Sequence, residues 1–153
     1  MAINELVRTV TRLAITLLFA ITFLLAATEK WLDATAPSWF IEQFAATPLG
    51  GLPQTPLYLL LAFGESVLGL VAVASLLLGE WLRQQAPLLK LVLAGSLLMF
   101  VVLGFGARLS GQYDDAASHF MYFTGTLVAL VVIDRDDRLR AVSADHSSAR
   151  TLD

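Results

Sequence analysis

The chain has no cysteine, which excludes disulfide exchange, thiolate catalysis and thiolate metal sites. Any redox chemistry must then use a bound cofactor, a quinone or a partner subunit. Its two histidines, His119 and His146, lie far apart in the sequence, so no metal centre is expected. Charged residues make up 15% of the chain, and the net charge of −3 is scattered. No basic patch of the kind a nucleic-acid surface needs stands out, and no nucleic-acid partner is expected.

What the chain does hold is apolar. Over 153 residues, 57% are hydrophobic and the mean hydropathy is +0.71, which reads as an integral membrane protein in contact with lipid. A helix needs about 20 apolar residues to cross the hydrocarbon core. Runs of that size predict spans at residues 13–31, 56–79, 88–107 and 116–133, an all-α, four-span bundle. The first run continues straight into Glu29, Lys30 and Trp31 and three more spans follow, which favours a retained span over a cleaved signal peptide. Lys30 and Trp31 fall at the edge of the hydrocarbon, where a lysine snorkels and a tryptophan anchors. Residues 32–55, with Trp39, Phe40, Phe44 and three prolines, predict a short amphipathic helix and a turn-rich return, either a cap over a site or a headgroup-layer segment. Residues 134–153, charged and without periodicity, read as a flexible tail.

Lysine and arginine are unevenly distributed over the predicted loops. Arg8, Arg12, Arg83, Lys90, Arg135, Arg138, Arg140 and Arg150 fall on one side, and Lys30 and Arg108 on the other. The positive-inside rule then places both termini in the cytoplasm.

Inside the second span stands one ionisable residue, Glu65. A carboxylate near a helix centre costs about 2.5–3.5 kcal/mol in a membrane, so it should face protein, water or a ligand. Tyr58, Ala62, Gly69 and Ala72 share its helical face, a small and polar stripe suited to close helix packing. In the fourth span Asp115, His119, Tyr122, Thr126 and Ala129 follow one face at three- and four-residue spacing. Four alternating spans bring Glu29, Lys30, Tyr58, Glu65, Arg108, Asp114, Asp115, His119 and Tyr122 to the same, non-cytoplasmic half. Glu65 and His119 are the candidate catalytic groups, as proton acceptors or hydrogen-bonding partners. Lys30, Tyr58, Arg108, Asp115 and Tyr122 are the candidate ligand-binding groups. Such a set fits a quinol headgroup beside an apolar slot, a small anion on Arg108, or a structural network in which Lys30 or Arg108 neutralises an acid.

Three stretches carry a resemblance: the first-span ending LLFAITFLLAATEKW, the loop ATPLGGLP, and GESVLGLVAVASLLLGEWLR in the second span. Together they resemble the DoxX-like family of small four-helix bacterial membrane proteins, which includes a subunit class associated with thiosulfate:quinone oxidoreduction. On that resemblance Lys30 and Glu65 match positions the family tends to keep polar. The fourth-span ending VALVVIDRDDR departs from the glycine-rich ending, followed by serine and aspartate, of many members. The resemblance implies a multi-pass protein of the bacterial inner membrane and a small oxidoreductase subunit that handles a quinone. A non-catalytic accessory or assembly subunit, docking on partner subunits or on copies of itself, is the alternative. A proton-coupled carrier is disfavoured because no polar stripe reaches the cytoplasmic side.

Overall fold

The computed structural model describes residues 3–150, and side chains as far as residue 140. Over this range the chain is helical: α1 (Ile3–Asp33), the short α2 (Ser38–Ala45), α3 (Gln54–Leu77), α4 (Pro87–Leu109) and α5 (Tyr113–Arg150). Single 3-10 turns stand at Pro48–Gly51 and Glu80–Leu82. Four of these helices, α1, α3, α4 and α5 as far as Arg140, are long and apolar enough to cross a membrane, the pattern of a multi-pass membrane protein. Their outer faces expose Leu18, Leu60, Leu98 and Met121 among many large apolar side chains. Such a surface is suited to hydrocarbon rather than water.

Two helix pairs make the body, α1 against α3 and α4 against α5, joined chiefly where α3 meets α4. Close packing of the first pair follows from the stripe on α3, where Tyr58, Ala62, Glu65, Gly69, Ala72 and Ser75 are all buried. A Cβ added at Gly69 would stand 2.8 Å from Leu24 Cδ2 of α1, so only glycine admits that approach. One core cluster joins Phe19 and Phe23 of α1, Ala72 of α3, Leu89, Val92 and Leu93 of α4, and Ile133 of α5. A smaller one packs Phe40 and Phe44 of α2 on Tyr58. The expected amphipathic helix in the long connection is therefore present, with its aromatic face turned onto α3.

Both ends of the chain depart from expectation. Residues 3–12, which precede the first span expected at 13–31, are the first turns of α1, and residues 134–150, expected as a tail without periodicity, continue α5 as helix; residues 151–153 lie outside the described range. Ion pairing supplies the reason. Arg12, 1% exposed, donates to Asp136 and, at 2.7 Å, to Asp137, while Lys90 Nζ stands 2.9 Å from Asp137 Oδ2. Arg140 Nη2 reaches Glu5 Oε2 at 2.9 Å. Charges that look solvated in sequence thus partner across helices at what we call the terminal end of the bundle. Nearby, Gly79 takes a left-handed conformation with φ 68° and ends α3. The chain then turns Glu80 onto the start of α4, where it accepts from Leu88 N and Leu89 N at 3.0 Å and from Ser75 Oγ at 2.8 Å. That buried carboxylate satisfies donors a helix N-terminus leaves open.

Candidate functional site

At the opposite end, where α2 covers the bundle, the polar stripe of α3 meets the last turn of α1. Lys30 Nζ donates to Glu65 Oε1 at 3.0 Å and lies 2.9 Å from Glu65 Oε2, the second contact outside hydrogen-bonding geometry. Lys30 also donates to Ala26 O at 3.3 Å, and Trp31 Nε1 to Ser66 Oγ at 2.9 Å. The lysine expected to snorkel outward is instead folded back onto the buried acid. Pairing answers the cost of placing Glu65 at this depth.

Two cavities flank this pair. The first, about 630 Å³, runs between α1 and α5, whose backbones hardly touch. Its walls include Leu18, Thr22, Phe23, Ala26, Phe100, Tyr122, Gly125 and Thr126, with Glu65 and His119 also lining it. The second, about 460 Å³, lies under α2 and is lined by Lys30, Trp39, Phe40, Phe44, Tyr58, Gln112, Asp115 and His119 among others. Glu65 thus borders one cavity, its partner Lys30 borders the other, and His119 borders both. His119 is seated by a close approach of α4, since a Cβ at Gly104 would stand 3.4 Å from His119 Cβ. Its Nδ1 is buried without a hydrogen-bond partner, and its ring meets Tyr122 edge-on at 6.2 Å between centroids.

The site residues expected from sequence divide accordingly. Glu65, His119 and Tyr122 line the first cavity, and Lys30, Tyr58, Asp115 and His119 the second. Tyr58 packs edge-on against Phe40 at 5.1 Å. No direct hydrogen bond joins Glu65 to His119 or Tyr122 among the described residues; they share a cavity wall rather than a bond. Asp115 stays exposed at the rim of the second cavity and does not border the first. Arg108 departs most from expectation. Its exposed guanidinium lies over the Tyr113 ring, 4.4 Å from the centroid, and it borders neither cavity, because cation–π stacking at the α4–α5 turn holds it outward. A small-anion site built on Arg108 therefore has no support from this geometry. Among the described residues no cluster of three or more potential ligands could hold a metal ion. His146 lies beyond the described side chains.

No family model, curated protein or solved structure matches the chain. Its chemistry has to be read from the site itself. An ion pair, an imidazole and a phenol, set between largely apolar walls, offer donors and acceptors to a headgroup and apolar surface to whatever is attached to it. Sequence reasoning singled out most of these groups, but not Gln43 and Gln112. Gln43 Nε2 donates to Ser110 Oγ at 3.1 Å, tying α2 to the α4–α5 turn over the second cavity. A glutamine on the polar side of a short amphipathic helix gives no signal of that role.

Proposed function

We propose that the protein is a small membrane subunit of an oxidoreductase system that binds a quinone-like headgroup beside Glu65 and His119. The observation that carries the reading is the placement of the Lys30–Glu65 pair between two apolar cavities, with His119 bordering both. A quinone has two oxygens that need hydrogen-bond partners and a ring that needs apolar walls. His119 Nδ1, buried and unpartnered, and the Lys30 ammonium are suited to those oxygens. Glu65 holds Lys30 in place, and when a quinol is the ligand Glu65 and His119 accept one proton each while a redox centre on a partner subunit takes the two electrons. The reading extends to topology and source: both termini cytoplasmic, the site in the non-cytoplasmic half, and a DoxX-like protein of the bacterial inner membrane. The basic-residue bias and the sequence resemblance support it.

The test is purification in mild detergent, extraction of bound quinones, and titration with a water-soluble short-tailed benzoquinone. Wild type should bind it near one equivalent, and His119→Ala should weaken binding by about tenfold, the loss of one hydrogen bond in a dry site. If neither extraction nor titration finds a quinone, the reading fails. A second reading is favoured by the same ion pair: Lys30–Glu65 as a helix register device in a non-catalytic accessory subunit. It expects the pair to matter for stability and His119 not to matter for binding.

A further inference from the structure

The cavity between α1 and α5 is more than a headgroup pocket. It extends on α1 from Ala26 back to Ile15 and on α5 from His119 to Ala129, roughly 16 Å along the helix axis at 1.5 Å per residue. Its ionisable groups are gathered towards one end, while Thr22 and Thr126 line the stretch between, Thr126 Oγ1 donating back to Tyr122 O. Glu65 and His119 stand near Ala26, whereas Ile15, Leu18, Phe19 and Ala129 surround the other end, where Thr16 hydrogen-bonds back to Arg12 O and the Arg12–Asp136 and Arg12–Asp137 pairs shut off the terminal end. Helices α1 and α5 have almost no backbone contact, so this seam is open sideways, between faces that expose Leu18 and Met121. At the polar end Glu65, 3% exposed, is paired with Lys30, and His119 Nδ1 is buried without a hydrogen-bond partner.

Resting on the quinone-like reading of the site, we propose that the seam between α1 and α5 is the tail subsite and lateral portal of the ligand. The ligand class is then a ring headgroup bearing oxygens on one long, single apolar chain. The head lies at Glu65 and His119, and the chain runs along the seam past Thr22 and Gly125 towards the middle of the bilayer. A single channel with its ionisable groups at one end fits a single chain with a small flat head. A two-chain phospholipid would leave His119 Nδ1 unmatched and needs room for a second chain.

Gly125 supplies the test. It lines the seam, and a Cβ added there meets nothing within 4 Å, so the stem of a bulky side chain is accommodated at a position from which it can obstruct the channel. Full-length protein in nanodiscs is titrated with a decyl-tailed benzoquinone and with the same ring lacking the tail. In Gly125→Trp the tailed compound should bind at least about tenfold more weakly, while the tailless ring should change by less than about twofold. A tailed quinone with a diazirine at its chain end, photolysed in wild type, gives an answer independent of how the variant folds. Adducts are expected on Leu18, Thr22 or Met121. Equal tailed binding by variant and wild type, or adducts on Trp39 and Phe40 under α2, would overturn the seam while leaving the headgroup reading intact. Absence of binding by both compounds to wild type would overturn both. A tightly held phospholipid that the tailed quinone cannot displace would overturn the ligand class in favour of a structural lipid.

Discussion

Arg12 and Asp137, 125 residues apart in the chain, meet inside the bundle, with Arg12 Nη2 donating to Asp137 Oδ1 at 2.7 Å. Asp137 Oδ2 accepts from Ala86 N at 3.3 Å and stands 2.9 Å from Lys90 Nζ, while Arg12 Nη1 donates to Arg83 O at 3.0 Å. One pair of side chains thus ties the first helix, the turn before α4, α4 itself and the last helix. Removing one partner of such a buried network leaves the rest uncompensated, at a cost of about 3–5 kcal/mol. Asp137→Asn and Arg12→Met should each lower the thermal midpoint sharply, followed by circular dichroism in detergent. A midpoint equal to wild type in both would show that the terminal end does not hold the bundle together.

Glu65→Gln is expected to behave differently. The Lys30 side chain is 18% exposed and already donates to Ala26 O, so it can turn to water when its partner loses charge. The stability cost should be about 1–2 kcal/mol, with a clear loss of short-tailed quinone binding. A large stability loss with unchanged binding would favour the scaffold reading instead.

Two glycines should respond in opposite directions. Gly69→Val drives methyl groups into Leu24, 2.8 Å from the first added carbon, and overpacking of this kind costs about 1–3 kcal/mol. Gly125→Ala meets open space on a helix and should stabilise by about 0.5–1 kcal/mol. Thermal melts of both variants measure this, and a destabilised Gly125→Ala would mean that the seam is already filled.

Membrane orientation is testable without background labelling, because the chain has no cysteine. Cysteines placed at the exposed positions Glu42 and Arg138 should react oppositely with an impermeant maleimide on intact cells, the first labelled and the second protected. Equal labelling would contradict the assignment of both termini to the cytoplasm.

The stripe of Tyr58, Ala62, Glu65, Gly69 and Ala72 was legible in the sequence because helical periodicity alone gathers those residues onto one face, and a lone acid among them must turn inward. The four apolar runs were legible for the same reason: length and composition act locally. Lys30 was not. Snorkelling outward and pairing inward suit the same residue at the same helix end, and only the position of α3 relative to α1 chooses between them. Arg108 was placed at the site by its side of the membrane, but the ring of Tyr113, the first residue of the next helix, holds its guanidinium away.

The terminal segments show the division most plainly. Taken alone, Asp134–Arg140 is a run of alternating charges with no apolar face, and local pattern marks it as solvated. Asp137 is buried and Asp136 partly so because Arg8, Arg12 and Lys90 arrive from other helices, and no property of residues 134–140 announces those partners. In this protein, then, sequence determined what local periodicity and transfer free energy control: helical spans, their inward faces, and the one acid that needs a partner. Tertiary structure decided which cation meets which acid and where α1 and α5 part to leave a cavity, since both depend on distances between helices far apart in the chain.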